Sequence, residues 1–265
     1  YVSSKRKACA ELGIESFGHE LPASISQADL ETLVRELNAN PAVNGILVQL
    51  PLPAGLDEEA VLSTISLEKD VDGFHPINIG RLNMKGRPPL FVPCTPLGCL
   101  TLLQGAGVRI SGADAVVVGR SNIVGIPMAA LLRNHDATVT VCHSRTRDLP
   151  AKVRQADIVT CITNATEPLF KGDWLKPGAH VDLVGAYRPT MREAGAETVR
   201  RARVYVDTLE GARAEAGDLI QAEAEGAFSF SDVKGDLAAL CKGEAKGRTS
   251  DGDVTLFKSS GTALE

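Results

Sequence analysis

The stretch ADAVVVGRSNIVGIPMAALLRN at 113–134 constrains the fold of this chain more than any other segment. A run of β-branched residues leads into a tight turn at Gly119, and a helix is predicted to begin near residue 124. A buried strand followed by a crossover helix is the repeating unit of parallel sheets, so the stretch predicts an α/β fold. The turn alone fits two interpretations, a nucleotide phosphate site and a plain strand-to-helix connection.

Strands and helices alternate through the rest of the chain. Downstream, strands are predicted at 137–142 and in ADIVTCIT, AHVDLVGA and ARVYVD, with helical material between them. Upstream, the patterns predict helices at 1–12, 26–39 and 57–65, and strands at 14–18 and 44–50. This alternation is typical of a parallel sheet with crossover helices.

Two domains are predicted, because a long segment interrupts the alternation. Residues 66–95 show little periodicity and contain many Pro and Gly, which is typical of a functional loop or a linker. We therefore expect a first domain at 1–92 and a Rossmann-like dinucleotide-binding domain at 93–265.

Composition excludes several classes of function. With a net charge of −5 and no basic block, the chain is not expected to bind nucleic acid. No apolar run approaches the roughly 18 residues of a membrane span. The six cysteines have neither C-x-x-C pairs nor metal-ligand spacing, so we expect reduced thiols, a cytoplasmic location and no metal.

Residues that could bind a dinucleotide surround the glycine turn. The strand-to-helix geometry favours phosphate at the backbone of Gly119, Arg120, Ser121, Val124 and Gly125. After the next strand, where NAD-binding folds place an acid, the chain has His143, Ser144 and Arg145. Basic groups there favour a 2′-phosphate, hence NADP; the alternative is that the arginines are solvated loop residues.

Several motifs follow one another in a specific order: YVSSK, GILVQLPLP, KDVDGFHP, PCTPLG, the glycine turn, and TVTVCHSRT. In order and spacing they resemble the bifunctional methylenetetrahydrofolate dehydrogenase/cyclohydrolase family over roughly residues 1–158. The resemblance implies NADP-dependent oxidation of 5,10-methylenetetrahydrofolate to 5,10-methenyltetrahydrofolate. It also implies hydrolysis of that product to 10-formyltetrahydrofolate, an α/β folate domain and a homodimer.

The resemblance also implies roles for individual residues. Lys5 would transfer the proton, Tyr1 would orient it from one helical turn away, and Gln49 would hydrogen-bond the lysine. Asp72 would accept hydrogen bonds from the folate pterin. The implied substrate-binding set is Tyr1, Gln49, Leu50, Pro51 and Asp72, and Thr95 joins the cofactor set. Taken singly, each residue also fits a solvated lysine run, a strand end or a turn-forming acid.

Residues from about 157 to 265 instead resemble the ornithine cyclodeaminase/μ-crystallin family. We therefore expect a hybrid chain whose folate domain is incomplete at its N-terminus. Tyr187 stands where that family has its catalytic Asp, and Asp207, Asp218 and Lys258 are interpreted as caps and loop residues. Two alternative functions stay open: a cyclodeaminase-like or ketimine-reductase-like NAD(P) enzyme, and a non-catalytic NADP-binding hybrid.

Overall fold

The computed structural model describes residues 2–261, with side chains from Lys5 onward. Its contacts divide the chain into two compact units, Tyr1–Cys94 (unit 1) and Thr95–Glu265 (unit 2). This division falls two residues after the boundary that the sequence suggests, at the start of a helix.

The helices of the described residues are α1 (Val2–Glu11), α2 (Gln27–Ala39), α3 (Glu58–Thr64), α4 (Pro76–Leu82), α5 (Cys94–Gly105), α6 (Gly125–Asn134), α7 (Leu149–Gln155), α8 (Ala196–Arg201), α9 (Leu209–Glu215), α10 (Gly217–Ala224) and α11 (Leu237–Cys241). The strands are β1 (Asp114–Val118), β2 (Thr138–Cys142), β3 (Ile158–Cys161), β4 (His180–Leu183), β5 (Arg203–Val206), β6 (Gly235–Asp236) and β7 (Thr255–Lys258). Short 3-10 helices lie at Leu67–Lys69, Gly172–Trp174 and Phe230–Asp232.

Unit 2 is built on a parallel sheet with the strand order β2-β1-β3-β4-β7-β5-β6. β1 lies between β2 and β3, and Val118 at its end pairs with both Cys142 and Cys161. Because the strands run in parallel, their carboxyl ends meet at one edge of the sheet. The strand order reverses beside β1, which is where open α/β sheets bind their ligands.

The core of unit 2 explains why its strands read as continuous apolar runs. Val116, Val159, Val181 and Leu256 are each less than 5% exposed, and helical residues such as Leu219 pack on the same cluster. A sheet covered by helices on both faces buries every residue of its central strands, which removes the polar alternation of a half-exposed strand.

Unit 1 has a smaller core, formed by α2, α3 and the chain between them. Its buried residues are Leu30, Val34, Val43, Ile46, Val61 and Ile65. The predicted start of α2 is confirmed: the Ser26 hydroxyl accepts a hydrogen bond from the Asp29 N–H at 3.1 Å, which satisfies one free donor of the first turn.

The two strands predicted in unit 1 are wrong. Residues 14–18 are exposed and form no strand, and 44–50 make only an isolated bridge between Ile46 and Asp70. Both stretches have strand-like composition, but a strand also requires a neighbour for its backbone N–H and C=O groups. Neither stretch has a continuous neighbour among the described residues.

Three further elements differ from the sequence expectation. The segment 66–95 contains α4, which begins at Pro76 after His75, whose Nδ1 accepts the Ile77 N–H at 3.1 Å. Proline at the first helical position is a start signal that the irregular surroundings obscured. Downstream, β6 and β7 were not predicted, although β7 pairs with β4 and β5 in the middle of the sheet.

Candidate functional site

The turn after β1 requires glycine at two positions. Gly119 has a φ of +124°, and a Cβ there would collide with the carbonyl oxygen of Ile162. A Cβ on Gly125 would lie 2.6 Å from the Gly119 carbonyl oxygen. The backbone of β1, the loop after β3 and the start of α6 therefore pass unusually close to one another, which leaves the helix N-terminus open to a ligand.

Ser121 shapes the start of α6. Its hydroxyl oxygen accepts hydrogen bonds from the N–H groups of Val124 and Gly125, both at 3.2 Å, and its carbonyl accepts from Ile126 at 3.0 Å. Val124 is the residue that precedes the helix. The side chain of Ser121 thus holds the first turn of the helix in place.

The segment after β2 folds onto itself beside this turn. The His143 N–H donates to the Thr146 hydroxyl at 2.7 Å, and the Arg145 N–H donates to Nδ1 of His143 at 3.1 Å. Since Val118 pairs with Cys142, the residues that follow these two strands emerge at the same edge of the sheet.

The charges at this edge fit a phosphorylated dinucleotide. Arg120, Ser144 and Arg145 are exposed, and no acidic side chain follows β2 before Asp148. An acid in that position would bind a ribose 2′-hydroxyl and repel a phosphate, whereas two arginines attract one. Together with the close glycine turn, the residues present fit NADP. Thr95, also expected to contact the cofactor, is half-buried in the first turn of α5.

In unit 1, the two acids of KDVDG have different environments. Asp70 is buried, and its carboxylate accepts hydrogen bonds from Phe74 N (3.2 Å), His75 N (2.9 Å) and Asn78 Nδ2 (2.7 Å). Asn78 in turn accepts the Leu90 N–H at 2.9 Å. Asp70 therefore organises the loop that leads into α4, and its oxygens are occupied by this structural role.

Asp72 is half-buried. Burial raises the pKa of its carboxyl, the charge of Lys5 lowers it and that of Asp70 raises it, and the net result is a pKa of about 6. The charge of Lys5 in α1 reaches the Asp72 carboxyl, although α1 and the KDVDG loop are distant in sequence. A shared site for Lys5 and Asp72 stays a prediction. A carboxyl of raised pKa that is influenced by a basic group is a candidate for proton transfer.

Gly73 keeps this acidic loop against the chain that follows α4. It has a φ of +69°, and its Cβ position lies 2.8 Å from the Pro93 nitrogen and 2.9 Å from the Phe91 carbonyl oxygen. Only glycine combines this backbone conformation with so close an approach.

The remaining predicted residues of unit 1 lie on the segment that precedes α3. Gln49 is exposed and its amide nitrogen donates to the Leu50 carbonyl at 3.0 Å, while the Leu50–Pro51 peptide bond is cis. The hydrogen bond between Gln49 and Lys5 stays a prediction. Tyr1 lies outside the described residues.

A buried charged network that the sequence did not predict lies in unit 2. The Lys258 ammonium, fully buried at the end of β7, donates to the Leu183 carbonyl at 3.1 Å and lies 3.8 Å from Oδ2 of Asp218. Oδ1 of Asp218 accepts the N–H groups of Glu193 and Ala194. The interpretation of Asp218 and Lys258 as caps and loop residues is wrong: one lies in α10, the other in β7, and both are buried.

Glu193 joins this network to two loops. Its Oε1 accepts the N–H and hydroxyl of Thr163 at 2.6 and 2.9 Å, and its Oε2 accepts the Gly185 N–H at 2.7 Å. Burial raises the pKa of the Glu193 carboxyl to about 7. One signal for the network was present in the sequence, since Asp218 and Lys258 are ionisable residues inside apolar stretches. Asp207 differs, because it lies in the loop after β5, where its buried carboxylate accepts the N–H groups of Thr208 and Ser260.

Two family models match the chain in the order of its units. The catalytic domain of tetrahydrofolate dehydrogenase/cyclohydrolase matches residues 1–72, and the NAD(P)-binding domain of the same family matches residues 93–208. The chain belongs to the tetrahydrofolate dehydrogenase/cyclohydrolase family. The second match extends past residue 157, where the cyclodeaminase-like part was expected to begin.

The chain is similar to its relatives over about two thirds of its own length. Bifunctional protein FolD 2 of Arabidopsis thaliana is 60% identical over 185 residues, which cover 70% of this chain and 62% of that protein. The Trypanosoma brucei methylenetetrahydrofolate dehydrogenase-cyclohydrolase, solved with NADP cofactor and an inhibitor, is 46% identical with a TM-score of 0.67. That match covers 70% of this chain and 63% of the solved one. The chain thus spans less than two thirds of the length of these relatives.

The cyclodeaminase likeness is weaker and structural. A probable ornithine cyclodeaminase from Bordetella pertussis is 31% identical, with a TM-score of 0.56, over 63% of this chain and 59% of that one. This neighbour has a comparable α/β architecture and does not change the family assignment.

No helix between residues 2 and 261 is long and apolar enough to cross a bilayer. In the same part of the chain, no three His, Cys, Asp or Glu side chains are grouped to hold a metal ion.

Proposed function

We propose that the chain oxidises 5,10-methylenetetrahydrofolate to 5,10-methenyltetrahydrofolate with NADP+ and hydrolyses that product to 10-formyltetrahydrofolate. The observation that carries this proposal is the match of the catalytic-domain model to residues 1–72 and of the NAD(P)-binding-domain model to residues 93–208. In unit 1, the charge of Lys5 also lowers the pKa of the Asp72 carboxyl, which is raised by burial. Family membership and the glycine turn of unit 2 support the cofactor.

For the oxidation, the protein contributes binding and orientation. Bound NADP+ would accept the hydride from the one-carbon bridge of the folate. The turn at Gly119 and the N-terminus of α6 would hold the pyrophosphate, and Arg120 and Arg145 would bind the 2′-phosphate. Fixing two reactants in position lowers the entropic part of the barrier.

For the hydrolysis, Lys5 would move the protons. A water molecule attacks the methenyl carbon, one proton of the water passes to the neutral lysine amine, and the ring C–N bond on the N5 side breaks as N5 accepts a proton. The net reaction consumes one water and releases one proton. General acid–base catalysis of this kind contributes roughly 10²–10⁴-fold to a rate.

Asp72 would bind the folate. Its carboxylate would accept hydrogen bonds from the N–H groups of the pterin, and in the ionised form it would keep Lys5 close to the reacting carbon. Gln49, Leu50 and Pro51 would line the same substrate site, and Tyr1 would orient Lys5.

The test compares the full chain with its Lys5→Met variant, using 5,10-methylenetetrahydrofolate and NADP+. We expect both proteins to produce NADPH, but only the unchanged chain to convert the methenyl product onward. In the variant, hydrolysis should fall by about 10³-fold and the methenyl absorbance should accumulate. Repeating the assay with NAD+ checks the cofactor preference. Unimpaired hydrolysis in the variant would exclude Lys5 from the reaction.

One second candidate has an observation in its favour. The likeness to the probable ornithine cyclodeaminase from Bordetella pertussis supports a cyclodeaminase-like or ketimine-reductase-like NAD(P) enzyme as this second candidate. Turnover of a cyclic imine with NADPH, together with no folate turnover, would favour this candidate. Binding of NADP+ without either turnover would favour the non-catalytic hybrid.

We also propose a homodimer located in the cytoplasm. The family resemblance supports the dimer, and six cysteines without a disulfide among the described residues support a reducing compartment. Light scattering of the purified chain measures its mass in solution, and a monomer would contradict the first of these proposals.

A further inference from the structure

The loops after β3 and β4 lie on one side of the point where the strand order reverses. The glycine turn and the basic residues follow β1 and β2. β3 and β4 lie on the other side of β1 from β2. In doubly wound sheets a dinucleotide spans this point, with one mononucleotide on each side. If the 2′-phosphate lies at Arg120 and Arg145, the nicotinamide half falls over the ends of β3 and β4.

A single buried carboxylate connects these two loops. Glu193 is 0% exposed and accepts three hydrogen bonds, two from Thr163 just after β3 and one from Gly185 just after β4. Gly185 is confined by the same arrangement, since a Cβ there would collide with the Thr163 carbonyl oxygen and with the Glu193 carboxylate. The two loops therefore cannot separate without breaking charge-assisted hydrogen bonds.

The backbone of Glu193 is fixed from the opposite side. Asp218 of α10 accepts the N–H groups of Glu193 and Ala194 at 2.7 and 2.9 Å, and its second oxygen faces the Lys258 ammonium at 3.8 Å. Lys258 also donates to the carbonyl of Leu183, the last residue of β4. A surface loop connection does not require a buried network of charged groups, and this network ends at the two loops.

We propose that Glu193 is a positioning residue, which holds the loops after β3 and β4 in the shape that the nicotinamide half of the cofactor requires. The inference rests on the proposed function, because it assumes that the sheet edge binds NADP. In this role Glu193 acts through Thr163 and Gly185.

The charge of Glu193 gives this role a pH dependence. The titratable groups that face its carboxyl are Lys258 of β7, Asp218 of α10 and Cys161 of β3. Burial raises the pKa of Glu193 to about 7, so the carboxylate loses its charge as the pH falls through neutrality. The three hydrogen bonds weaken when their acceptor becomes neutral.

The test uses two ligands that divide the cofactor. NADP+ and adenosine 2′,5′-bisphosphate are titrated by calorimetry against the full chain and its Glu193→Gln variant. The bisphosphate carries the 2′-phosphate and adenosine but no nicotinamide. We expect the variant to lose about tenfold in NADP+ affinity at pH 8 and to bind the bisphosphate unchanged. Between pH 8 and pH 6 the 2′-phosphate of the ligand loses charge for both proteins. The NADP+ affinity of the unchanged chain should therefore fall more steeply than that of the variant, in which Glu193 no longer titrates.

Asp182→Asn is the matched control. Asp182 is a buried acid of β4 that accepts from Thr160 and His180 within the sheet and contacts neither loop. It should lower thermal stability without separating the two affinities. If Glu193→Gln does not fold, Thr163→Val removes one donor and should weaken NADP+ alone by about threefold.

The outcomes separate this inference from the proposed function. Equal loss of both ligands, or loss of neither, overturns the role of Glu193 and leaves the NADP site standing. If the unchanged chain binds no adenosine 2′,5′-bisphosphate, the cofactor assignment fails and the inference fails with it.

Discussion

The apolar stretches at 45–50 in unit 1 and at 114–118 in unit 2 have similar compositions and different structures. The second is β1, with hydrogen-bonded neighbours on both sides. The first, GILVQL, forms one bridge at Ile46, and Leu47 is 42% exposed. Composition supplies the tendency to extend, but neighbouring strands supply the hydrogen bonds that make a strand.

The same contrast separates the two candidate sites. In unit 2 the main chain forms the site: a glycine turn and a helix N-terminus lie at the edge of a fixed sheet. In unit 1 side chains form it, and their positions depend on hydrogen bonds such as those of Asp70 within an irregular segment. Replacing a glycine by a residue with a Cβ should therefore damage the site in unit 2 most. Replacing a buried hydrogen-bond acceptor should damage the site in unit 1.

The largest expected effect tests the main-chain site. Gly119→Ala places a Cβ against the Ile162 carbonyl at a φ that only glycine adopts easily, so the turn must shift. We expect NADP+ affinity to fall by about 100-fold, measured by calorimetry. Gly112→Ala is the matched control: its φ is +77°, but its nearest neighbour is an Arg109 side-chain nitrogen at 3.9 Å. It should cost stability without changing affinity; equal affinity loss in both variants would refute the close-approach argument.

The next effect tests the side-chain site. Asp70→Ala leaves the donors Phe74 N, His75 N and Asn78 Nδ2 without their acceptor in a buried loop. We expect a loss of about 3 kcal/mol in the free energy of unfolding, measured by urea denaturation. Asp72→Ala should change the unfolding free energy much less. Similar losses for both acids would mean that the structural role is shared.

The smallest effect concerns pH. The folded state raises the pKa of Asp72 to about 6, so the folded protein binds more protons than the unfolded chain between about pH 4 and 6, and ionisation costs stability as the pH rises. Asp72→Asn should therefore stabilise the protein at pH 8 by about 1 kcal/mol, a value reduced for partial exposure. The gain should vanish near pH 4 in thermal unfolding. Folate binding should weaken in the variant, and a destabilised Asp72→Asn protein at pH 8 would contradict the argument.

Much of unit 2 could be predicted from its sequence, and less of unit 1. Buried strands followed by helices identified β1 to β5, because each apolar run is long enough to be recognised alone. The pairing of β7 between β4 and β5 could not be predicted in the same way, since the order of strands depends on which surfaces fit together. α4 went unrecognised because its seven residues lie among prolines and glycines.

The candidate site divides along the same line. Gly119, Gly125 and the arginines were predicted because their chemistry is local to one turn. Asp70 and Asp72 were indistinguishable as sequence, and only hydrogen bonds to Phe74, His75 and Asn78 assign the structural role to the first of them. Glu193 was not singled out, since an acid near a proline-containing loop usually remains in solvent.

The sequence by itself determined the α/β class, the phosphate turn and the family, because each depends on residues that are neighbours along the chain. Only the tertiary structure decided that Glu193, Asp218 and Lys258 form one buried network. The physical reason is that a charge is stabilised by the groups around it in space. Those groups come from β4, β7, α10 and the loop after β4, and their meeting depends on the packing of the whole of unit 2.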